Sequence, residues 1–474
     1  MGTVSSTIRA ILGWSAIALG SLLLLVLILF GVAWAINAGD EALTPEAQAL
    51  LAPMHDPVPP EDNIYLALAG FNAPPGGSVL VAGQARIERY NQTLARAQRA
   101  DPVKRIEMMS GVTSADDAGG LRFRGQLELK GPISSYWDET PAHRANVEKL
   151  MSDNAELYQR YRALHGQGGY FETCQPSTLA PLVFADRETR RLYLAAAVLE
   201  MRSDDPSRQR EGLADLEDDL RLWRAVLTGE GALVSKMVAI ASLHWDELLL
   251  ADAIADPQAP VPVGASDAPA VVPDFAPEDW NIGKAFRIEF LVQVSILQQM
   301  RDLSESGWTA PDESGTPRWL ARAGNSVGGH FLKINATENL FAEQTARLAR
   351  GAALGARQEA VPDPFSTLRA VYNPVGKTLA ATSEAAFADY RARAWDDAAF
   401  HRLLRLSYEI RRQRIPAEEV AAFLIRHPEW SRHPADGRPF LWDAKAGSLQ
   451  VQLLQAHPPP DRPFLLHVWR PPAH

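Results

Sequence analysis

Gly324-Asn-Ser326-Val-Gly328 has the spacing of a nucleophile elbow, in which a tight strand-to-helix turn lifts a serine hydroxyl above a parallel sheet. The residues before it, PRWLARA, are not strand-like and no β-α alternation surrounds them, so the chain predicts a helix start capped by Asn325 or Ser326 instead. Asp138, Glu139 and His143 follow Tyr136-Trp137, and Tyr170-Phe-Glu172 lies close to Cys174. Carboxylates paired beside aromatics are what acid–base cleavage of a glycosidic bond requires. The first turn of a helix produces the same grouping, because acidic side chains favour its positive end and aromatics fill the core. His427 and His433 flank Pro428-Glu-Trp-Ser-Arg, a spacing at which two imidazoles can share a metal, although packing on an aromatic such as Trp430 is the commoner use of such loop histidines. His244-Trp-Asp246-Glu247 lies in a strong helical pattern that places His244 and Glu247 on one face. The metal-binding bundle motif runs Glu-x-x-His, however, and Ala241 stands where its glutamate belongs, so the expectation is a partly buried histidine or a surface ion pair.

Asp138, Glu139, His143 and Ser326 are therefore the catalytic candidates, and His427 and His433 the metal candidates, with no reaction argued by their spacing alone. No HExxH, EF-hand loop or Cys-His spacing occurs, so no metal and no cofactor is expected. Cys174 is the only cysteine, which rules out an internal disulfide and a cysteine-based zinc site, and no basic neighbour is evident to activate it. A buried packing role is its expected use. Arg411-Arg-Gln-Arg414 closes a helix, where cations suit the negative end of the dipole.

The residues from Ile11 to Ile36 carry no charged side chain, and SLLLLVLILF at their centre is apolar on every face. Such a run crosses a hydrocarbon core about 30 Å thick and lacks the polar stripe of a surface helix. Trp14 and Trp34 stand near its ends, Arg9 precedes it, and Asp40 and Glu41 follow it. The positive-inside bias predicts a cytoplasmic N-terminus and an exported body. Ala33-Trp34-Ala35 also fits a signal-peptidase site, so cleavage after Ala35 is the competing expectation. The formal net charge of −10 disfavours nucleic acid and anionic headgroups as partners. Abundant Ala, Arg, Leu and Pro fit a GC-rich bacterial genome. The expected location is a bacterial inner membrane, single-pass, with the C-terminal part periplasmic. The expected partners are the lipid bilayer through Ile11–Ile36 and an envelope protein, with no nucleic acid.

The elements that must position these residues are mostly helical. Thr44 and Pro45 open a short helix, and 63–70 and 79–99 read as two more. In Leu121-Arg-Phe-Arg-Gly-Gln-Leu-Glu-Leu-Lys130 apolar and polar residues alternate with one slip at Gly125, which predicts a short strand region near 121–130. Helical periods follow at 143–164, 187–201, 207–227 and 232–255, then at 278–303, 325–350, 383–394, 397–413 and 416–426. Residues 256–277, rich in Pro, Ala and Val, read as a linker or long loop. Phe440-Leu-Trp, the turn Asp443 to Gly447, and Leu449, Val451 and Leu453 predict a β-hairpin, with Phe464 to Trp469 as a third strand.

The expected fold class is mainly α: an N-terminal transmembrane helix, an irregular array of helical hairpins, a short strand region near 121–130 and a small C-terminal β-hairpin. Its expected division is a cytoplasmic tip and anchor at 1–38, a helical domain at 39–255, the linker at 256–277 and a second helical region at 278–474. The stretch NPVGKTLAATSEAAFADYRARA, the helix RLLRLSYEIRRQ, the helix EEVAAFLIR and the ending PADGRPFLWDAKAGSLQVQLL resemble a group of single-span, exported Gram-negative bacterial proteins with a helix-plus-β-hairpin C-terminus. The resemblance covers under a fifth of the chain and implies an exported body without implying an activity. Pseudopilin-like chains have a similar plan, but their peptidase site is missing here. An extended helical surface without legible chemistry predicts a scaffold or assembly factor of the envelope. The alternative expectation is a membrane-tethered hydrolase acting on envelope polymers.

Overall fold

The computed structural model describes residues 2–474 apart from 56, 99, 101–103, 105–107, 109–119, 179, 182, 184–185, 257–271, 306–325, 354, 358, 361, 364, 367–369, 456–463 and 470–474. Its longer helices are α1 (Gly2–Ile36), α2 (Pro45–Leu51), α3 (Ile64–Ala69), α4 (Val79–Ala97), α5 (Arg144–Asp153), α6 (Ala155–Leu164), α7 (Arg187–Met201), α8 (Pro206–Thr228), α9 (Leu233–Ala255), α10 (Ala285–Glu305), α11 (Ile334–Arg350), α12 (Pro374–Arg412) and α13 (Val420–Arg426). Strands β1 (Leu441–Asp443), β2 (Ser448–Gln450) and β3 (Leu465–His467) form one antiparallel sheet in that order. The chain is mainly helical, as its periodicity predicts. It divides into two compact units: Met1–Ala52, Gln293–Gln344 and Ala360–Ala385 make up the first, and Pro53–Val292, Thr345–Glu359 and Ala386–His474 the second.

In the first unit, Ile17–Ile36 of α1 has a mean hydropathy of 2.7 and none of it is buried, so this helix is long and apolar enough to cross a membrane. Its C-terminal end, by contrast, is held by protein. The Trp34 indole stacks on His330 at 3.5 Å between ring centres, and His330 Nε2 lies 2.9 Å from the Trp34 carbonyl oxygen. Asn37 is fully buried; its amide donates to the Val371 carbonyl at 2.9 Å and its Oδ1 accepts from the Asn373 N–H at 2.8 Å. Asp40 accepts from the Asn335 and Ala336 N–H groups, which would otherwise be orphans at the start of α11. Thr44 caps α2 as predicted, accepting from the Ala47 N–H at 3.2 Å.

The second unit is built on α7, α8 and α9. The stripe Leu213, Leu216, Leu220, Trp223 and Leu227 of α8 is buried, and α7 buries all but its first turn and a few side chains. α9 is buried on every face, which marks it as a central helix. A charged side chain on it must therefore be paired. Arg190 of α7 meets this need for two helices at once, with Nε 3.1 Å from Asp219 Oδ2 on α8 and Nη2 2.6 Å from Asp246 Oδ1 on α9. Asp219 Oδ1 also accepts from the Tyr161 hydroxyl at 2.7 Å. Trp223 and Trp245 cover the guanidinium.

Three expectations are corrected. No strand forms at 121–130. Leu127 and Leu129 are buried as the alternation requires, but the backbone around them bonds to side chains: the Arg124 N–H to Asn154 Oδ1 at 2.7 Å and the Glu128 N–H to Asn146 Oδ1 at 3.0 Å. The phase slip is a turn, with Gly125 at φ 87°. The single helix expected at 143–164 breaks at Asn154, whose amide donates to the Leu150 carbonyl and to Arg124 and so replaces the helix ladder locally. The two helices expected at 383–394 and 397–413 are one continuous α12, since neither Gly nor Pro lies between them to stop it. The C-terminal hairpin forms as read: Trp442 pairs with Leu449, Asp443 accepts from the turn N–H groups of Lys445 and Ala446, and Leu466 on β3 pairs with Leu449. Asn325 and the linker residues 257–271 lie outside the described residues.

α8 approaches α7 at Gly212, where an added Cβ would lie 2.5 Å from the Ala197 carbonyl oxygen. Backbone cannot yield there as a side chain would. Gly212→Ala is expected to lower stability by about 1–3 kcal/mol, despite the better helix propensity of alanine, measured as a shift of the denaturant midpoint.

Candidate functional site

α9 is apolar enough to be a core helix, yet it carries His244, Asp246 and Glu247 in succession, and all three are buried. Each finds its partner on a helix other than α9. His244 Nδ1 lies 3.2 Å from Asp397 Oδ1 on α12, and Glu247 Oε1 lies 2.6 Å from His401 Nδ1 one turn further along α12. Asp246 belongs to the Arg190 pair. The geometry thus aligns His-x-x-Glu on α9 with Asp-x-x-x-His on α12, and one ligand-type atom from each of His244, Glu247 and Asp397 lies within 4.8 Å of the others.

Both imidazoles are held by rings. His244 packs on Phe400 and Phe464, with centroids 4.2 and 4.8 Å away. His401 stacks on Phe275 at 4.5 Å. The tautomers follow from the partners. Pro273 offers only a carbonyl, 3.0 Å from His401 Nε2, so Nε2 carries the hydrogen and Nδ1 accepts. Burial lowers the His401 pKa to about 3, keeping the ring neutral, and burial with the charges of Asp397 and Asp246 holds Glu247 well above the usual carboxyl range. Glu247 therefore donates its proton to His401. In the neighbouring network, burial pushes Asp219 up, but Arg190, His165 and Tyr161 outweigh it and hold its carboxyl at about 2. Burial and the charge of Asp219 hold Asp246 high in spite of Arg190.

A cleft of about 260 Å³ reaches this cluster from the surface. Phe275, Trp280 and Trp430 give it aromatic walls, Arg402 and Arg405 line it as cations, and His401 is its link to Glu247.

The residues singled out from the sequence occupy separate environments. Asp138 is exposed, Glu139 half-buried, and His143 Nδ1 lies 3.2 Å from Glu128 Oε2 at the surface. Ser326 is exposed in a helical stretch at 326–330 of the first unit, and the only sheet among the described residues is antiparallel, so the elbow lacks the support that activates it. His427 stacks on Trp430 at 5.0 Å and bonds Glu429. His433 is buried; its Nδ1 accepts from the Ala435 N–H at 3.1 Å and its Nε2 lies 3.3 Å from Asp396, whose carboxylate also accepts from the Leu454 and Gln455 N–H groups. The two imidazoles thus have different partners. Asp396 thus fastens to α12 both the loop before β1, through His433, and the segment after β2, through Leu454 and Gln455. Cys174 is buried, and burial pushes its thiol up to about 12, in keeping with a packing role.

Asp397 and His401 escaped notice in the sequence because a DxxxH pair on a helix reads as an ordinary surface pair. The available signal was α9 itself. A helix with an apolar circumference leaves its polar residues no surface to occupy, so His244, Asp246 and Glu247 had to have buried partners.

A second cavity, lined by Tyr65, Glu172, Cys174 and Ser235, lies near Lys236, which is 1 % exposed. Glu172 Oε1 accepts from Tyr170 at 2.8 Å and Ser235 at 2.5 Å. Lys236 Nζ donates to the Val226 and Gly229 carbonyls at 2.7 and 2.6 Å, so a neutral amine satisfies both. Burial lowers its pKa to about 7. The unfolded chain then holds this proton up to a pH near about 10, while the native state releases it above about 7, so stability rises with pH across that window. Unfolding midpoints measured from pH 7 to 9.5 should climb for the native chain, and Lys236→Met should flatten that slope.

Comparison of the chain with protein-family models, with curated proteins and with solved structures finds no match.

Proposed function

We propose that the chain is a single-pass protein of a bacterial inner membrane whose periplasmic body acts as a scaffold or assembly partner for another envelope protein. The observation that carries the membrane part is the contrast along α1: Ile17–Ile36 is wholly unburied, while Trp34, Asn37 and Asp40 at and beyond its end bond to residues 330–373. A leader destined for removal has no reason to pack on the folded body. Trp34, which cleavage after Ala35 would remove, stacks on His330 at 3.5 Å and bonds the same ring through its carbonyl, which favours retention. The apolar length is then solvated by lipid, because the fourteen exposed large apolar residues from Ile17 to Ile36 would be strongly unfavourable in water.

The scaffold part rests on what the buried groups do. The charged side chains of the second unit's core tie helices together, and the catalytic candidates Asp138, Glu139, His143 and Ser326 are held in separate settings. The hydrolase alternative would need a different set of residues, for which the cleft beside His401 is the one favourable feature.

Membranes from the expressing bacterium, washed with alkaline carbonate, should retain the full-length chain with an intact mass that includes Met1–Ile36. Protease added outside spheroplasts should digest the body. Recovery in the soluble fraction, or a mass beginning after Ala35, would remove the anchor. Mild-detergent affinity purification should bring down a stoichiometric envelope protein; a bare monomer under every mild condition would remove the scaffold.

A further inference from the structure

We propose that the buried cluster between α9 and α12 is a binding site for a divalent transition-metal ion, with His244, Glu247 and Asp397 as ligands and His401 as the partner that orients Glu247. Three ligand-type atoms already lie within 4.8 Å of one another, one from each residue. Metal bonds of about 2.1 Å place neighbouring ligand atoms about 3.4 Å apart, so the widest pair must close by no more than about 1.4 Å, within reach of side-chain torsions.

Glu247 Oε2 is buried without a hydrogen-bond partner, and a buried acceptor left unmet is costly. His244 Nδ1 and Asp397 Oδ1 already stand 3.2 Å apart, close to the separation of two ligand atoms on one ion, so Nδ1 is the nitrogen that faces the metal. Loss of the Glu247 proton on binding leaves two carboxylates, which offset the charge of a dication in the core. The mixed nitrogen and oxygen set suits Zn²⁺ or Mn²⁺ better than Ca²⁺, which prefers oxygen alone.

The surroundings are those of a supported site. His401 holds Glu247 Oε1 at 2.6 Å and is itself held by the Pro273 carbonyl at 3.0 Å, a two-step brace of the kind that orients ligating carboxylates. Phe400 and Phe464 restrain the His244 ring. His401 lines the cleft of about 260 Å³, which brings open space to the outer side of the brace.

The test uses the full chain in detergent. After treatment with a chelator and its removal, Zn²⁺ and Mn²⁺ are titrated separately, with bound metal read by elemental analysis and thermal unfolding followed alongside. One ion per chain and an upward shift of the melting temperature are expected, with Ca²⁺ producing neither. Co²⁺ should give d–d absorption bands whose intensity reports the coordination number. Asp397→Asn, isosteric and still able to accept from His244, should abolish the stoichiometric ion, whereas His401→Phe, which keeps the stack on Phe275, should bind about 10- to 100-fold more weakly. His427→Ala should change nothing. If Asp397→Asn fails to fold, the native titration and the His401→Phe comparison still decide. Absence of a stoichiometric ion in the native chain, which would leave ordered water as the occupant, overturns the proposal, as does undiminished binding by folded Asp397→Asn.

Discussion

Arg190 brings a full charge into the middle of the second unit, where removal from water costs several kcal/mol per ion unless geometry and hydrogen bonds repay it. The repayment fixes how three helices meet. α7 supplies the guanidinium, α8 supplies Asp219 and α9 supplies Asp246, and the distances of 3.1 and 2.6 Å hold only when all three helices are in register. The balance of charge is equally specific. Arg190, His165 and Tyr161 hold Asp219 low against its burial, whereas burial and the charge of Asp219 hold Asp246 high in spite of Arg190. Tryptophans on α8 and α9 close over the guanidinium and exclude the water that would weaken the pair.

α9 links that clamp to the second buried cluster. Asp246 faces Arg190 while its neighbours in sequence, His244 and Glu247, face α12. Rotation of α9 about its axis, or a slip by one residue, would break both sets of contacts together. The helix is therefore positioned by its polar residues as much as by Leu243, Leu249, Leu250 and Ile254, which are fully or almost fully buried around them. Apolar contacts are tolerant of small shifts; a hydrogen-bonded charge is not. That intolerance gives the imidazoles and carboxylates between α9 and α12 a fixed geometry, which is the precondition for selecting a ligand. Beside Asp397 on α12, Asp396 accepts from His433 and from two backbone N–H groups, so the C-terminal sheet segment is tied to the same helix by the same kind of interaction.

Local pattern was legible wherever one residue's neighbours in sequence are also its neighbours in space. Arg187–Met201 has its predicted bounds because Asp186 caps it and a three-to-four spacing of apolar residues runs through it. The hairpin at Leu441–Gln450 follows from an Asp and a Gly placed around a tight turn. The failures share a cause. At 121–130 the alternation of side chains was read correctly, but the partner of that backbone proved to be Asn146 and Asn154 rather than a second strand, and no local rule names a partner. The boundary within 383–413 was drawn between two periodic stretches without a residue able to end a helix.

By itself the sequence determined that the chain is helical, that a charge-free run near the N-terminus is long enough to cross a bilayer, that the body is acidic, and that a three-stranded ending follows the helices. These depend on composition, period and turn chemistry, all of which act over a few residues. Only the tertiary structure decided that His244 meets Asp397, that Glu247 meets His401, and that His427 and His433 take different partners. Those pairings span separations of more than a hundred residues in the first two cases. They are chosen by how whole helices pack, since the free energy that selects them comes from burying many apolar side chains at once and from the penalty on any charge left without a partner.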